Sequence, residues 1–131
     1  MIVIDNTVLI DFWAGVPSLR EDAQKLFTFD SEWYAPSLWQ YEFVHILGKF
    51  ERLEKLSKSS KFKAIENCQK MVQTVHEIDM QAVEELRETT GLKFYDASYV
   101  WLAVSRGVKL YTRDQQIVKS CPNVACEMPK N

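Results

Sequence analysis

Five short runs rich in aliphatic and β-branched residues punctuate the chain: Ile2-Val3-Ile4, Trp33-Tyr34-Ala35, Val75-His76-Glu77-Ile78, Val108-Lys109-Leu110-Tyr111-Thr112 and Val124-Ala125-Cys126. Each predicts a strand, and the segments between them carry the three-to-four spacing of amphipathic helices. The clearest helical face is Trp39, Phe43, Ile46, Leu47 and Phe50. It follows Ser37-Leu38-Trp39-Gln40, the spacing of a capping box in which Ser37 caps and Gln40 reaches back. Asp79 is placed to cap a helix carrying Val83 and Leu86, with Gly91 at its end. Arg106-Gly107 forms a helix stop ahead of the fourth strand. Residues 57–63 read equally as a loop or as parts of two helices.

Strand-helix-strand alternation predicts an α/β fold: a three-layer α/β/α sandwich around a mostly parallel five-stranded sheet. No linker, repeat or composition break divides the chain, so residues 1–131 are expected to form one domain. No run of about 18 apolar residues is present to span a bilayer. The start, Met1-Ile2-Val3-Ile4-Asp5, reaches an acid with no basic region before it, so no secretory signal is expected. In open α/β sheets, sites form beyond the carboxyl ends of strands where strand order reverses. The first strand ends at Asp5, and the fourth runs through Thr112-Arg113 to Asp114. Two carboxylates are therefore expected along one sheet edge.

Each acid has a plain structural reading beside a chemical one. Asp5 and Asp114 can cap the helices that follow them, and Thr112 can be an ordinary strand residue or a group that orients a neighbouring carboxylate. Glu42 sits at the border of the apolar face between Trp39 and Ile46, where a carboxylate is partly desolvated unless it reaches solvent. Asp96 stands in the first turn of an apolar helix with Tyr99, Val100, Leu102 and Ala103. The helix dipole alone favours an acid there. Clustered carboxylates repel, and their pKa values rise unless a cation compensates. Mg2+ or Mn2+ supplies that cation, prefers hard oxygen ligands, and can activate water and orient a phosphodiester. Asp5, Glu42, Asp96 and Asp114 are accordingly the candidate metal ligands and catalytic residues.

Composition adds a constraint. With 47% hydrophobic and 26% charged residues in 131, the chain can bury a core without staples. Cys68, Cys121 and Cys126 are an odd set with no CxxC pair, which suits a reducing cytoplasm better than a zinc site or disulfide framework. The net charge of -2 argues against a protein that holds nucleic acid by overall phosphate neutralisation. Any RNA contact must be local. Lys49, Arg52, Lys55, Lys58, Lys61 and Lys63 fall in one stretch with Glu51 and Glu54. That stretch reads as a solvated helix end, or as an RNA-guiding rim in which Lys49 and Arg52 stand nearest Glu42. Trp13, Trp33, Trp39 and Trp101 read as core or dimer-interface residues rather than base-stacking platforms.

Four segments then carry a family resemblance. They are residues 2–10, Pro36-Ser37-Leu38-Trp39-Gln40-Tyr41-Glu42, residues 95–103, and Leu110-Tyr111-Thr112-Arg113-Asp114. In order and spacing they resemble PIN domains, nearest to the small single-domain VapC-type toxins of bacteria and archaea. The resemblance implies a Rossmann-like fold and a Mg2+- or Mn2+-dependent endoribonuclease site. It implies metal or water-positioning roles for Asp5, Glu42, Asp96 and Asp114, with Thr112 in support. It also implies a homodimer and a small antitoxin protein as partner. The first motif reads Asp5-Asn6-Thr7 where the family commonly has Asp-Thr-Asn, so Thr7 takes the supporting place two residues after the acid. His45 stands where an Asn is frequent and reads as a partly exposed helix histidine rather than a base. Gln115 and Gln116 follow Asp114 where some relatives carry another acid. Three functions follow as expectations: a ribonuclease, a catalytically weak or inactive RNA- or protein-binding regulatory module, and a phosphoryl-transfer enzyme using Asp5 as nucleophile.

Overall fold

The computed structural model describes residues 1–128; residues 129–131 of the expected domain lie outside them. The elements run β1 (Ile2–Ile4), α1 (Asn6–Ala14), α2 (Pro17–Phe29), β2 (Trp33–Pro36), α3 (Trp39–Arg52) and α4 (Lys58–Met71). They continue as β3 (Val72–Val75), α5 (Met80–Thr90), α6 (Phe94–Arg106), β4 (Leu110–Tyr111), α7 (Gln115–Ser120) and β5 (Ala125–Cys126). The strands form one five-stranded sheet in the order β3-β2-β1-β4-β5, with every neighbouring pair parallel. The chain builds outward from β1 to β3, then returns to lay β4 on the other side of β1. Right-handed crossovers put α1 to α4 on one face and α5 to α7 on the other. Packing follows that division: α1 rests on α2 and α3, and α3 on α4, while α5 rests on α6. No helix among the described residues is long and apolar enough to cross a membrane.

The central strand explains its own sequence. Ile2, Val3 and Ile4 are all buried, because both faces of a parallel sheet are covered. Trp33 and Trp39 are enclosed in the core, and Phe12 and Phe27 meet Trp33 edge-on. Gly91 and Gly107 end α5 and α6 in the left-handed region, φ +73° and +66°, where a Cβ is disfavoured. Asp79 caps α5 through the Ala82 N–H at 3.0 Å, as expected. Ser57 caps α4 through the Ser60 N–H, so most of the ambiguous 57–63 stretch is helical.

Three local expectations are corrected. The third strand is Val72–Val75 rather than residues 75–78. Helix α4 runs into it without a turn, so Val72 pairs with Trp33 while His76 and Glu77 lie exposed beyond it. The capping box at Ser37 and Gln40 does not form: α3 starts at Trp39 with no side-chain cap. The Ser37 backbone N–H instead donates to the Val75 carbonyl, which extends the sheet ladder past β2. The fourth and fifth strands are shorter than the apolar runs that predicted them, at two residues each.

Candidate active site

Registers at the sheet centre fix the first part of the site. Ile4 pairs with Tyr111, so the next residues, Asp5 and Thr112, leave the ladder side by side. Thr112 Oγ1 donates to Asp5 Oδ2 at 2.5 Å, and Thr7 Oγ1 donates to Asp5 Oδ1 at 2.5 Å. The Thr7 N–H adds a third bond at 3.1 Å, which is the N-cap of α1. Thr112 Oγ1 in turn accepts the Asp114 N–H, and Thr7 Oγ1 accepts the Arg113 N–H. Asp5 is 5% exposed; burial pushes its pKa up to about 6, against the opposing pull of the threonine hydrogen bonds.

Helix first turns bring the other two acids. Glu42 on α3 is half-buried, and its Oε1 accepts from Asn6 Nδ2 and from the Tyr99 hydroxyl, both at 3.2 Å. Burial raises its pKa, the two hydrogen bonds lower it, and the charge of Asp96 raises it further. Asp96 on α6 is raised by burial and by the charge of Asp114, with Lys93 opposing. The Tyr99 hydroxyl is held well above its ordinary value by burial and by the Glu42 and Asp5 charges, so it stays protonated as a donor.

Asp5, Thr7, Glu42, Asp96 and Asp114 line one cavity of about 280 Å³, together with Asn6, Ile10, Ile46, Tyr99 and Arg113. It opens at the carboxyl ends of β1 and β4, the point where strand order reverses. Thr112 stands behind Asp5 rather than in the wall. Lys49 and Arg52 are exposed further along α3 and do not line the cavity. His45 is exposed as well. Asp5 and Asp114 also cap α1 and α7, so for both residues the plain structural reading holds.

A family model, described as PIN domain, matches residues 2–120. The chain belongs to the PIN domain family. Solved PIN-fold neighbours agree in architecture. PAE2754 from Pyrobaculum aerophilum superposes with a TM-score of 0.77 at 22% identity, over 95% of this chain and 87% of that one. VapC20 of Mycobacterium tuberculosis, a sarcin-ricin loop cleaving toxin, gives 0.70 at 12% identity, over 92% and 95%. A toxin-antitoxin complex from Klebsiella pneumoniae gives 0.68 at 16%, over 96% and 97%. No curated protein sequence matches the chain.

Does this PIN cavity fit a divalent ion? Its donors are carboxylate, amide and hydroxyl oxygens, the hard set that Mg2+ and Mn2+ prefer. Asn6 Oδ1 is buried with no hydrogen-bond partner among the described residues, and Asp96 likewise accepts none. Among the described residues no three His, Cys, Asp or Glu side chains come close enough to form a metal cage by themselves. That is compatible with Mg2+, which typically keeps several waters and takes one or two carboxylates. The residues present fit such an ion.

Sequence reasoning passed over four residues here. Asn6 and Tyr99 anchor Glu42, and Asn6 also reaches the Trp39 carbonyl. Tyr99 lies three residues after Asp96 on α6, a same-face spacing that was open to inspection. Asp11 is a 2%-exposed acid inside the apolar run of α1, and it holds Arg113 through two hydrogen bonds. A buried acid in an apolar helix demands a partner, which is the signal that pointed to it.

Proposed function

We propose that this PIN domain is a divalent-metal-dependent endoribonuclease, the toxin of a toxin-antitoxin pair. The observation that carries the reading is the convergence of Asp5, Glu42, Asp96 and Asp114 from distant segments on one cavity at the switch point. Two structural neighbours, a toxin-antitoxin complex and a sarcin-ricin loop cleaving toxin, support the biological role. Asp5, Glu42, Asp96 and Asp114 would hold Mg2+ or Mn2+. Held there, such an ion would supply charge to offset carboxylate repulsion and Lewis acidity toward a phosphodiester oxygen and a water.

The chain's own groups prepare that chemistry. Thr7 and Thr112 fix both oxygens of Asp5, so it can neither rotate nor drift. Asn6 and Tyr99 fix Glu42 through Oε1, leaving Oε2 to orient a water. Purified protein should cut RNA when Mg2+ or Mn2+ is supplied, and Asp96→Asn should lower the rate about a hundredfold or more. Undiminished cutting by a rigorously purified Asp96→Asn protein would remove the site assignment.

One observation favours a second reading, a regulatory module that binds RNA or protein without turnover. The Asp5 carboxylate already accepts three hydrogen bonds, so it has less capacity for a metal than an open acid. Titration calorimetry with Mn2+ separates the two: no binding heat together with intact RNA affinity selects the module. A cytoplasmic homodimer inhibited by a small antitoxin completes the proposal. Sedimentation of the pure chain, and co-purification with the product of an adjacent small open reading frame, test those parts.

A further inference from the structure

We propose that Arg113 is the cavity's phosphate contact, engaging an RNA phosphate through Nη1 while buried Asp11 holds the guanidinium in place. The inference rests on the ribonuclease reading and adds the group that offsets the substrate's own charge.

A phosphodiester approaching this cavity meets four carboxylates. Arg113 is the one cationic side chain among the described residues that line it. Its Nε and Nη2 donate to Asp11, the latter at 2.9 Å to Oδ1, and its backbone N–H donates to Thr7 Oγ1 at 3.0 Å. Nη1 makes no hydrogen bond within the described residues. The pair is lopsided: the Asp11 side chain is 3% exposed and the Arg113 side chain 41%. Asp11 does not line the cavity, so the anion sits behind and the cation stands in front. The pair therefore presents a fixed dipole with its positive end toward the site.

Chemistry favours a phosphate for the remaining edge. A guanidinium can pair with a carboxylate on one side and still offer N–H donors to an oxyanion on the other. Two-point attachment to Asp11 already removes most of its rotamer freedom, so little ordering entropy remains to be lost on binding. Lys49 and Arg52, exposed on α3, have no such restraint.

The test must separate substrate contact from the structural value of the pair. Removing Arg113 alone leaves a buried charge, so Asp11→Asn/Arg113→Gln is compared with the intact Asp11–Arg113 pair, both in the Asp96→Asn background that blocks cutting. Binding of a short random-sequence single-stranded RNA is measured with Mg2+ present over a salt series, alongside thermal unfolding. Loss of Arg113 should weaken binding several-fold at low salt. It should also reduce the log–log salt slope by about 0.7, the value of one single-strand phosphate. Arg113→Lys in the same background should restore the slope. RNA binding with unchanged affinity and slope overturns the phosphate contact and leaves the ribonuclease reading standing. No RNA binding by the Asp96→Asn parent at any salt, together with no RNA cutting by the unsubstituted chain in Mg2+ or Mn2+, overturns both.

Discussion

Around the cavity, Asp5 takes hydrogen bonds from Thr7 and Thr112, Glu42 is braced by Asn6 and Tyr99, and Asp11 is tied to Arg113. In the basic stretch of residues 49–63, Lys49, Arg52, Lys55, Lys58 and Lys63 are exposed. Only Lys61 is drawn in there, pairing with Glu51 at 2.7 Å. The two regions carry opposite charge and are held in opposite ways. The acids are desolvated and cross-linked over long sequence distances, so changing one perturbs both fold and chemistry. The cations are screened by water and salt, so changing one perturbs little beyond long-range attraction. The net charge of -2 averages over this contrast. Where the charges sit matters more than their sum.

The largest test of that contrast is Asp5→Asn. Asp5's folded pKa is raised from 3.8 to about 6, so the folded state holds this proton more tightly than the unfolded chain. Stability from that proton is full below about pH 4 and is lost as pH rises through about 6. A rise of this size corresponds to about 3 kcal/mol. In the presence of a chelator, the stability difference should therefore move in favour of Asp5→Asn by up to about 3 kcal/mol between about pH 4 and above pH 6, on top of a pH-independent loss from the hydrogen bond that the amide nitrogen cannot accept. The same variant should lose RNA cutting when Mg2+ is restored. Urea denaturation across pH checks this, and a pH-independent difference would mean that Asp5's charge is not what burial penalises.

Thr112→Val comes next. It keeps the volume but removes the hydroxyl that donates to Asp5 and accepts the Asp114 N–H. We expect a loss of about 1–3 kcal/mol in unfolding free energy, read by denaturant titration, with RNA cutting reduced in parallel. A stable but inactive Thr112→Val protein would show that the hydroxyl orients Asp5 without supporting the fold. At the small end, Lys49→Ala with Arg52→Ala should shift stability by no more than about 0.5 kcal/mol. RNA affinity should fall only at low salt. A stability loss beyond that would erase the distinction between a solvated rim and a built site.

Legibility followed the range of the forces involved. The Ile2-Val3-Ile4 run, the buried face of α3 and the glycine stops of α5 and α6 were plain because propensity and periodicity act over a few residues. The start of β3 was not, because α4 abuts it with no turn residue between them to mark where the helix stops and the strand begins. Ser37 carried the right spacing for a cap, but its N–H was already taken by the sheet. Tertiary pairing overrode a correct local signal there.

Sequence by itself determined which acids end strands and which begin helices, and so which carboxylates were available at one edge of the sheet. Only the tertiary structure decided which of them meet and what holds them. Strand order sets β1 against β4, so Thr112 reaches Asp5 across 107 residues and Arg113 reaches Asp11 across 102. Those partners are chosen by register and burial, since a charge removed from water must find its counterpart wherever the fold brings one within reach.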